Sequence, residues 1–313
     1  MYQLEVSSFG NIEKLTFYNA DSGNRFAVLP EFGGVVSELI FENVPVLDGY
    51  AHSDELAEPK WKKGGILFPF PNRLKDGSYE WQGQRYQFPI NDPTTGSALH
   101  GLSREQPMQV NEVQVNENSA AVTLIYTEKG ESAAYPFPFT LAVTYRMEEP
   151  AHFTVEMRFR NDGDTIIPVG LGWHPYFQLS ETIDEVHLQL PLCEWIEFDE
   201  RKLPTGNRDP YLEFSALTPI GDAELDNCFA VNINGQGNIN TIFVTLEGTR
   251  GTLRYWQETG PGKFNFLQLF VPEYRTSIGV EPMTCMTDGF NSGEGLIILA
   301  PQEVAFARAG VEF

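Results

Sequence analysis

Between Ala151 and Asn161 the chain alternates with a period of two. Phe153, Val155, Met157 and Phe159 fall on one face, and Thr154, Glu156, Arg158 and Arg160 on the other. Strict alternation of this kind predicts an antiparallel strand with one buried and one wetted face. The preceding stretch FTLAVTYRM has the same form, and MEEPAH between them supplies a turn, so the two read as a hairpin. Similar strands are predicted over 14–19, 25–29, 35–41, 84–89, 108–115, 120–127, 185–190, 241–248, 251–257, 264–271, 276–281, 295–299 and 303–309. No stretch carries the period of an amphipathic helix of three or more turns. Neither a linker nor an internal repeat divides the chain, so residues 1–313 are expected to form one all-β domain, a large antiparallel β-sandwich. Its chemistry should then sit on loops and strand ends.

Composition narrows the function classes. A net charge of −22 argues against nucleic acid, which requires a basic footprint. One basic island stands out, formed by Lys60, Lys62, Lys63, Arg73 and Lys75. Cys193, Cys228 and Cys285 are odd in number and widely spaced, which fits neither a disulfide framework nor a metal motif. No apolar run is long enough to span a bilayer, and the first residues lack the pattern of a signal peptide. A cytoplasmic protein with no membrane or nucleic-acid partner is the expectation; oligomeric state is not legible. Nucleophile-elbow, phosphate-loop, dinucleotide and zincin motifs are all absent, and no two histidines stand at i, i+2 or i, i+4. No metal site is expected.

Among the five histidines, His52, His152 and His187 lie in an acidic loop or on the polar faces of strands. They read as surface residues. His100 precedes Gly101, whose missing side chain lets backbone or ligand approach. His174, in GLGWHPYFQL, precedes Pro175, which biases it toward an extended backbone, and it is flanked by Trp173, Tyr176 and Phe177. An imidazole in an aromatic cluster is either core or the floor of a sugar site, and the pattern leaves both open.

Five stretches in order resemble the aldose 1-epimerase (galactose mutarotase) family: GGILFPFPNRLKDGSYEWQGQRYQFPIND, ALHG, GWHPYF, ELDNCF and IGVEPMTCMTDGFN. The resemblance runs from about residue 64 to 291 and implies a large antiparallel β-sandwich. It also implies interconversion of the α and β anomers of a free hexose, without cofactor or metal. By position it makes His174 the general acid and Glu281 the general base, with Asn72, Arg73, His100 and Asp226 holding the sugar. Trp173, Tyr176, Trp256 and Phe290 are candidates to pack on the sugar's apolar face. Nearby carboxylates are expected to raise the pKa of His174 by more than burial lowers it. Two alternatives remain open at this point. The basic island could receive a C6 phosphate or sulfonate, or the sandwich could bind carbohydrate without catalysis.

Overall fold

The computed structural model describes residues 1–57, 62–102, 106–231 and 238–313. Nearly all the predicted strands are present, most within two residues of their expected bounds, and the hairpin is Pro138–Glu148 paired with His152–Asn161. Phe153, Val155, Met157 and Phe159 are all buried, while Arg158 and Arg160 are exposed, as the alternation requires. Among the described residues the helices are single turns, the longest spanning four residues.

Three antiparallel sheets carry the fold. Nine strands form one sheet in the order Gln109–Val115, Ser119–Lys129, Pro138–Glu148, His152–Asn161, Val304–Glu312, Gly251–Thr259, Asn240–Gly248, His187–Gln189, Thr218–Pro219. A second sheet runs Pro204–Tyr211, Cys193–Phe198, Asp226–Ala230, Phe266–Phe270, Ile278–Met283, Gly172–His174, Gly65–Leu67, with Tyr176–Phe177 also paired to Ile278–Met283. An N-terminal meander of five strands, from Gln3 to Pro45, forms the third.

Aromatic side chains lock the layers together. Phe153 of the nine-stranded sheet lies 6.3 Å, centroid to centroid, from Trp173 of the eight-stranded sheet and 5.4 Å from Phe26 of the meander. Phe177 and Tyr255 make a second junction between the two larger sheets. Each such ring removes a large apolar area from water. Trp173 immediately precedes His174, so the junction that holds the layers also anchors the backbone of a candidate site residue.

Phe153→Ala should therefore cost about 3–5 kcal/mol of stability, because the void would open between three layers. Reversible denaturant unfolding measures it; a loss below about 1 kcal/mol would show that the junction collapses around the gap.

Candidate functional site

The eight-stranded sheet presents one face to the core and the other to the candidate site. In Ile278–Met283 every residue is buried, with Val280 in the main core and Glu281 on the opposite face. Gln268 stands directly across from Glu281, and Cys228 directly across from Gln268. Asp226, two residues before Cys228, shares their face. The same alternation sends Trp173 into the core and His174 to the site.

His174 and Glu281 meet there, Nε2 to Oε2 at 3.3 Å, with side chains only 7 % and 3 % exposed. Tyr176 stacks on the His174 ring at 5.1 Å and 20°. The backbone is clamped on both sides, since Gly64 N–H donates to the His174 carbonyl at 2.8 Å and Val280 N–H to the Pro175 carbonyl at 3.2 Å.

His100, Asn72 and Arg73 form the adjoining wall. Asn72 and His100 both adopt left-handed backbone, φ +57° and +63°, a conformation that persists only where surroundings enforce it. They are tied reciprocally: Asn72 N–H donates to His100 Nδ1 at 3.1 Å, and His100 N–H to the Asn72 carbonyl at 2.9 Å. With Nδ1 accepting, the neutral ring carries its proton on Nε2. Gly101 permits this approach, because a Cβ at its φ of +61° would strike the Phe68 carbonyl. The His100 ring lies edge-on to His174 at 5.1 Å. Arg73 donates from Nε to Asp92 at 2.9 Å and from its backbone N–H to Asn72 Oδ1 at 2.8 Å. Burial opposes the charge on Asp92, yet hydrogen bonds from Thr95 and Arg73 outweigh it and hold that carboxyl below its usual range.

Gln268 joins this wall to the far side. Its Oε1 accepts from Asn72 Nδ2 at 3.3 Å, and its Nε2 donates to Asp226 Oδ1 at 3.1 Å. Asp226 Oδ2 pairs with Lys202 at 2.9 Å, and Asp226 is the most open member of the group at 35 % side-chain exposure. All six residues singled out by sequence, namely Asn72, Arg73, His100, His174, Asp226 and Glu281, thus belong to one constellation. Gln268 was missed. Its only signal is a lone amide inside the apolar run FLQLF.

The electrostatics reverse one expectation. Burial, reinforced by the Lys62 ammonium, pushes the pKa of His174 down to about 3. Burial and then the Asp226 charge push that of Glu281 well up, against the pull of Arg73. Desolvation, not the neighbouring carboxylates, dominates the imidazole. In the free site both shifts favour the neutral forms, a carboxylic acid beside an unprotonated imidazole.

Of the candidate aromatics, only Tyr176 reaches the site. Trp173 is core, Phe290 packs among Phe70, Tyr79 and Tyr135, and Trp256 lies over Gly310 on the nine-stranded sheet. The basic island disperses. Lys63 pairs with Asp48 at 2.6 Å, Arg73 faces Asp92, Lys62 reaches toward the Leu99 carbonyl beside the site, and Lys60 lies outside the described residues. Lys75 is exposed. No group of three or more His, Cys, Asp or Glu that could hold a metal occurs among the described residues. Nor is any helix there long and apolar enough to cross a membrane.

Known proteins share this architecture. A galactose mutarotase-like protein of Clostridium acetobutylicum superposes with a TM-score of 0.85 at 19 % identity, covering 99 % of this chain and 97 % of its own. A galactose 1-epimerase of Lactobacillus acidophilus does so with a TM-score of 0.81 at 16 % identity, covering 100 % and 98 %. In sequence, the uncharacterized protein YihR of Escherichia coli K12 is 29 % identical over 283 residues, covering 89 % of this chain and 87 % of YihR. The bifunctional protein GAL10 of Kluyveromyces lactis is 24 % identical over 66 % of this chain, which corresponds to 32 % of GAL10. Residues 17–310 match the family described as aldose 1-epimerase, and the chain belongs to that family.

Proposed function

We propose that the protein is a cofactor-independent aldose 1-epimerase that interconverts the α and β anomers of a free, neutral hexose. The contact between His174 and Glu281 carries this reading. Ring opening requires the anomeric hydroxyl to lose a proton while the ring oxygen gains one. Both oxygens are bonded to C1, so acid and base must converge on one carbon. An imidazole nitrogen and a carboxylate oxygen held side by side meet that demand. Glu281 Oε2 takes the hydroxyl proton, and His174 Nε2 delivers one to the ring oxygen. Rotation about C1–C2 then exposes the other face of the aldehyde, and the two groups reverse roles. The step needs neither redox chemistry nor water.

The proton on Glu281 in the free site does not oppose this. A neutral acid beside a neutral imidazole is a tautomer of the carboxylate–imidazolium pair, and the pair carries the same proton in both. A polar sugar replacing low-dielectric surroundings favours the charge-separated form. His100, through Nε2–H, together with Arg73, Asp226 and Asn72, is assigned to the sugar hydroxyls. Lys63 is already paired with Asp48 at 2.6 Å, which supports a neutral hexose over a C6-phosphorylated or sulfonated one.

Polarimetry on freshly dissolved α-glucose and α-galactose, beside glucose 6-phosphate, tests the reading. It fails if no free aldose equilibrates faster with protein than without. Glu281→Gln should lower turnover by two or more orders of magnitude. It should also leave the melting temperature at or above wild type at pH 8. With its folded pKa raised, Glu281 destabilises the native state progressively as pH climbs above its unfolded value. A folded Glu281→Gln enzyme of near wild-type rate would remove the base.

For His100→Asn and Arg73→Met, KM should rise substantially and kcat fall as well, because misplaced sugar reacts poorly. Unchanged KM in both would place them outside the site.

The working one-proton state of the pair exists above the lowered His174 value and below the raised Glu281 value. In a pH profile of kcat/KM the acid limb should accordingly lie near pH 3, and the alkaline limb above the ordinary carboxylate range. Asp226→Asn removes a negative charge that raises Glu281, so its alkaline limb should move to lower pH. A limb that stays in place would show that Asp226 does not act on the pair.

A further inference from the structure

Two adjacent cations, Arg201 and Lys202, occupy a five-residue turn that touches both sides of the site. The turn is built by Asp199, whose Oδ1 accepts from the backbone N–H groups of Arg201 at 2.8 Å and Leu203 at 3.0 Å. Its backbone N–H donates to the Leu203 carbonyl at 2.8 Å, and Lys202 takes the left-handed conformation at φ +56°. This geometry sends the two side chains in different directions. Lys202 reaches Asp226 Oδ2 at 2.9 Å. Arg201 reaches the opposite side, donating from Nε to the Thr95 carbonyl at 2.8 Å and from one terminal nitrogen to Asp76 at 2.7 Å and to the Gly96 carbonyl at 3.3 Å.

Neither contact ends at its first partner. Thr95 donates to Asp92 Oδ2 at 2.7 Å, the same oxygen that receives Arg73 Nε. The residue 92–97 turn gripped by Arg201 is therefore the one that aims Arg73. Asp226, gripped by Lys202, is held on its other oxygen by Gln268. Two proposed sugar contacts on opposite sides of the site are thus referred to neighbouring residues of a single turn.

We propose that Arg201 and Lys202 are positioning residues for sugar binding, setting the separation between Arg73 and Asp226 through the Asp199–Leu203 turn. The proposal rests on the mutarotase reading above. Arg201 requires its planar fork, because two backbone carbonyls and a carboxylate are engaged from one guanidinium. Lys202 supplies a point charge to one oxygen, for which another cation can substitute.

This asymmetry gives a test that a general loss of stability would not reproduce. Initial-rate mutarotation of α-galactose and α-glucose would be followed for Arg201→Met, Arg201→Lys, Lys202→Met and Lys202→Arg, with thermal melts alongside. KM is expected to rise about tenfold in both methionine variants, with a smaller fall in kcat of about threefold, because a loosened Arg73 or Asp226 misplaces the sugar. Lys202→Arg should recover most of the loss and Arg201→Lys little of it. In an Asp226→Asn background Lys202→Met should add almost nothing, since coupled neighbours depart from additivity. KM within twofold of wild type in both methionine variants would overturn the proposal. So would an undiminished Lys202→Met effect in the Asp226→Asn background. An inactive wild type would instead count against the mutarotase reading. Sugar affinity by calorimetry would then decide the positioning role on the same variants, and a wild type that binds no aldose would overturn both.

Discussion

Everything at the site depends on holding a carboxyl group and an imidazole in contact out of water. Transfer from water disfavours the charged form of each, so burial alone drives the pair toward an acid and a neutral ring. A site arranged this way is costly to fold. It persists because the surrounding strands leave no alternative: Ile278–Met283 is buried on both faces, and the His174 backbone is hydrogen-bonded at Gly64. The dispersed core, joined across three layers by Phe26, Phe153 and Trp173, offsets what the pair costs.

Strand alternation is what lets one short segment serve both purposes. Trp173 and His174 are consecutive, as are Val280 and Glu281, and in each case the first residue packs the core while the second faces the site. A helix would spread these functions over a turn; a strand separates them at adjacent residues. Mutations on the core side should hence reach the chemistry through the backbone. The left-handed pair Asn72 and His100 uses a different device, in which two strained residues stabilise each other by exchanging hydrogen bonds.

Long strands with one wet face were plainly written in the sequence, because Phe153 to Phe159 meet water on alternate positions only. The strands that build the site were much less so. Gly172–His174 is three residues long and Asp226–Ala230 is buried over three of its five positions, so neither shows a full period. Their residues were found through motif resemblance instead. Gln268 escaped even that, since an amide in an apolar strand carries no local sign of the partners it will bridge. Trp256 and Phe290 were placed by residue type, and aromatic type alone does not distinguish a sugar platform from core. The protonation of the pair was misjudged for a related reason. Proximity of carboxylates can be guessed from motifs, but the degree of desolvation is a property of the packed fold.

A mutarotase must accept two anomers and an open chain at one site, which sets opposite demands on different parts of the sugar. C1 has to rotate, so the groups addressing it must act without gripping it. The remaining hydroxyls have to stay fixed, or the ring would close in the wrong place. The arrangement around His174 and Glu281 separates these demands spatially. The His174–Glu281 pair is braced by stacking and backbone bonds, and among the described residues neither side chain makes a further ion pair. Arg73 and Asp226 are each fastened by a further charged residue, Asp92 and Lys202, and joined through Asn72 and Gln268. Under the proposed mechanism, rigid holding at the periphery would let proton transfer at the centre proceed without reorganising the protein, because the neutral and charge-separated forms of the pair differ only in where one proton sits.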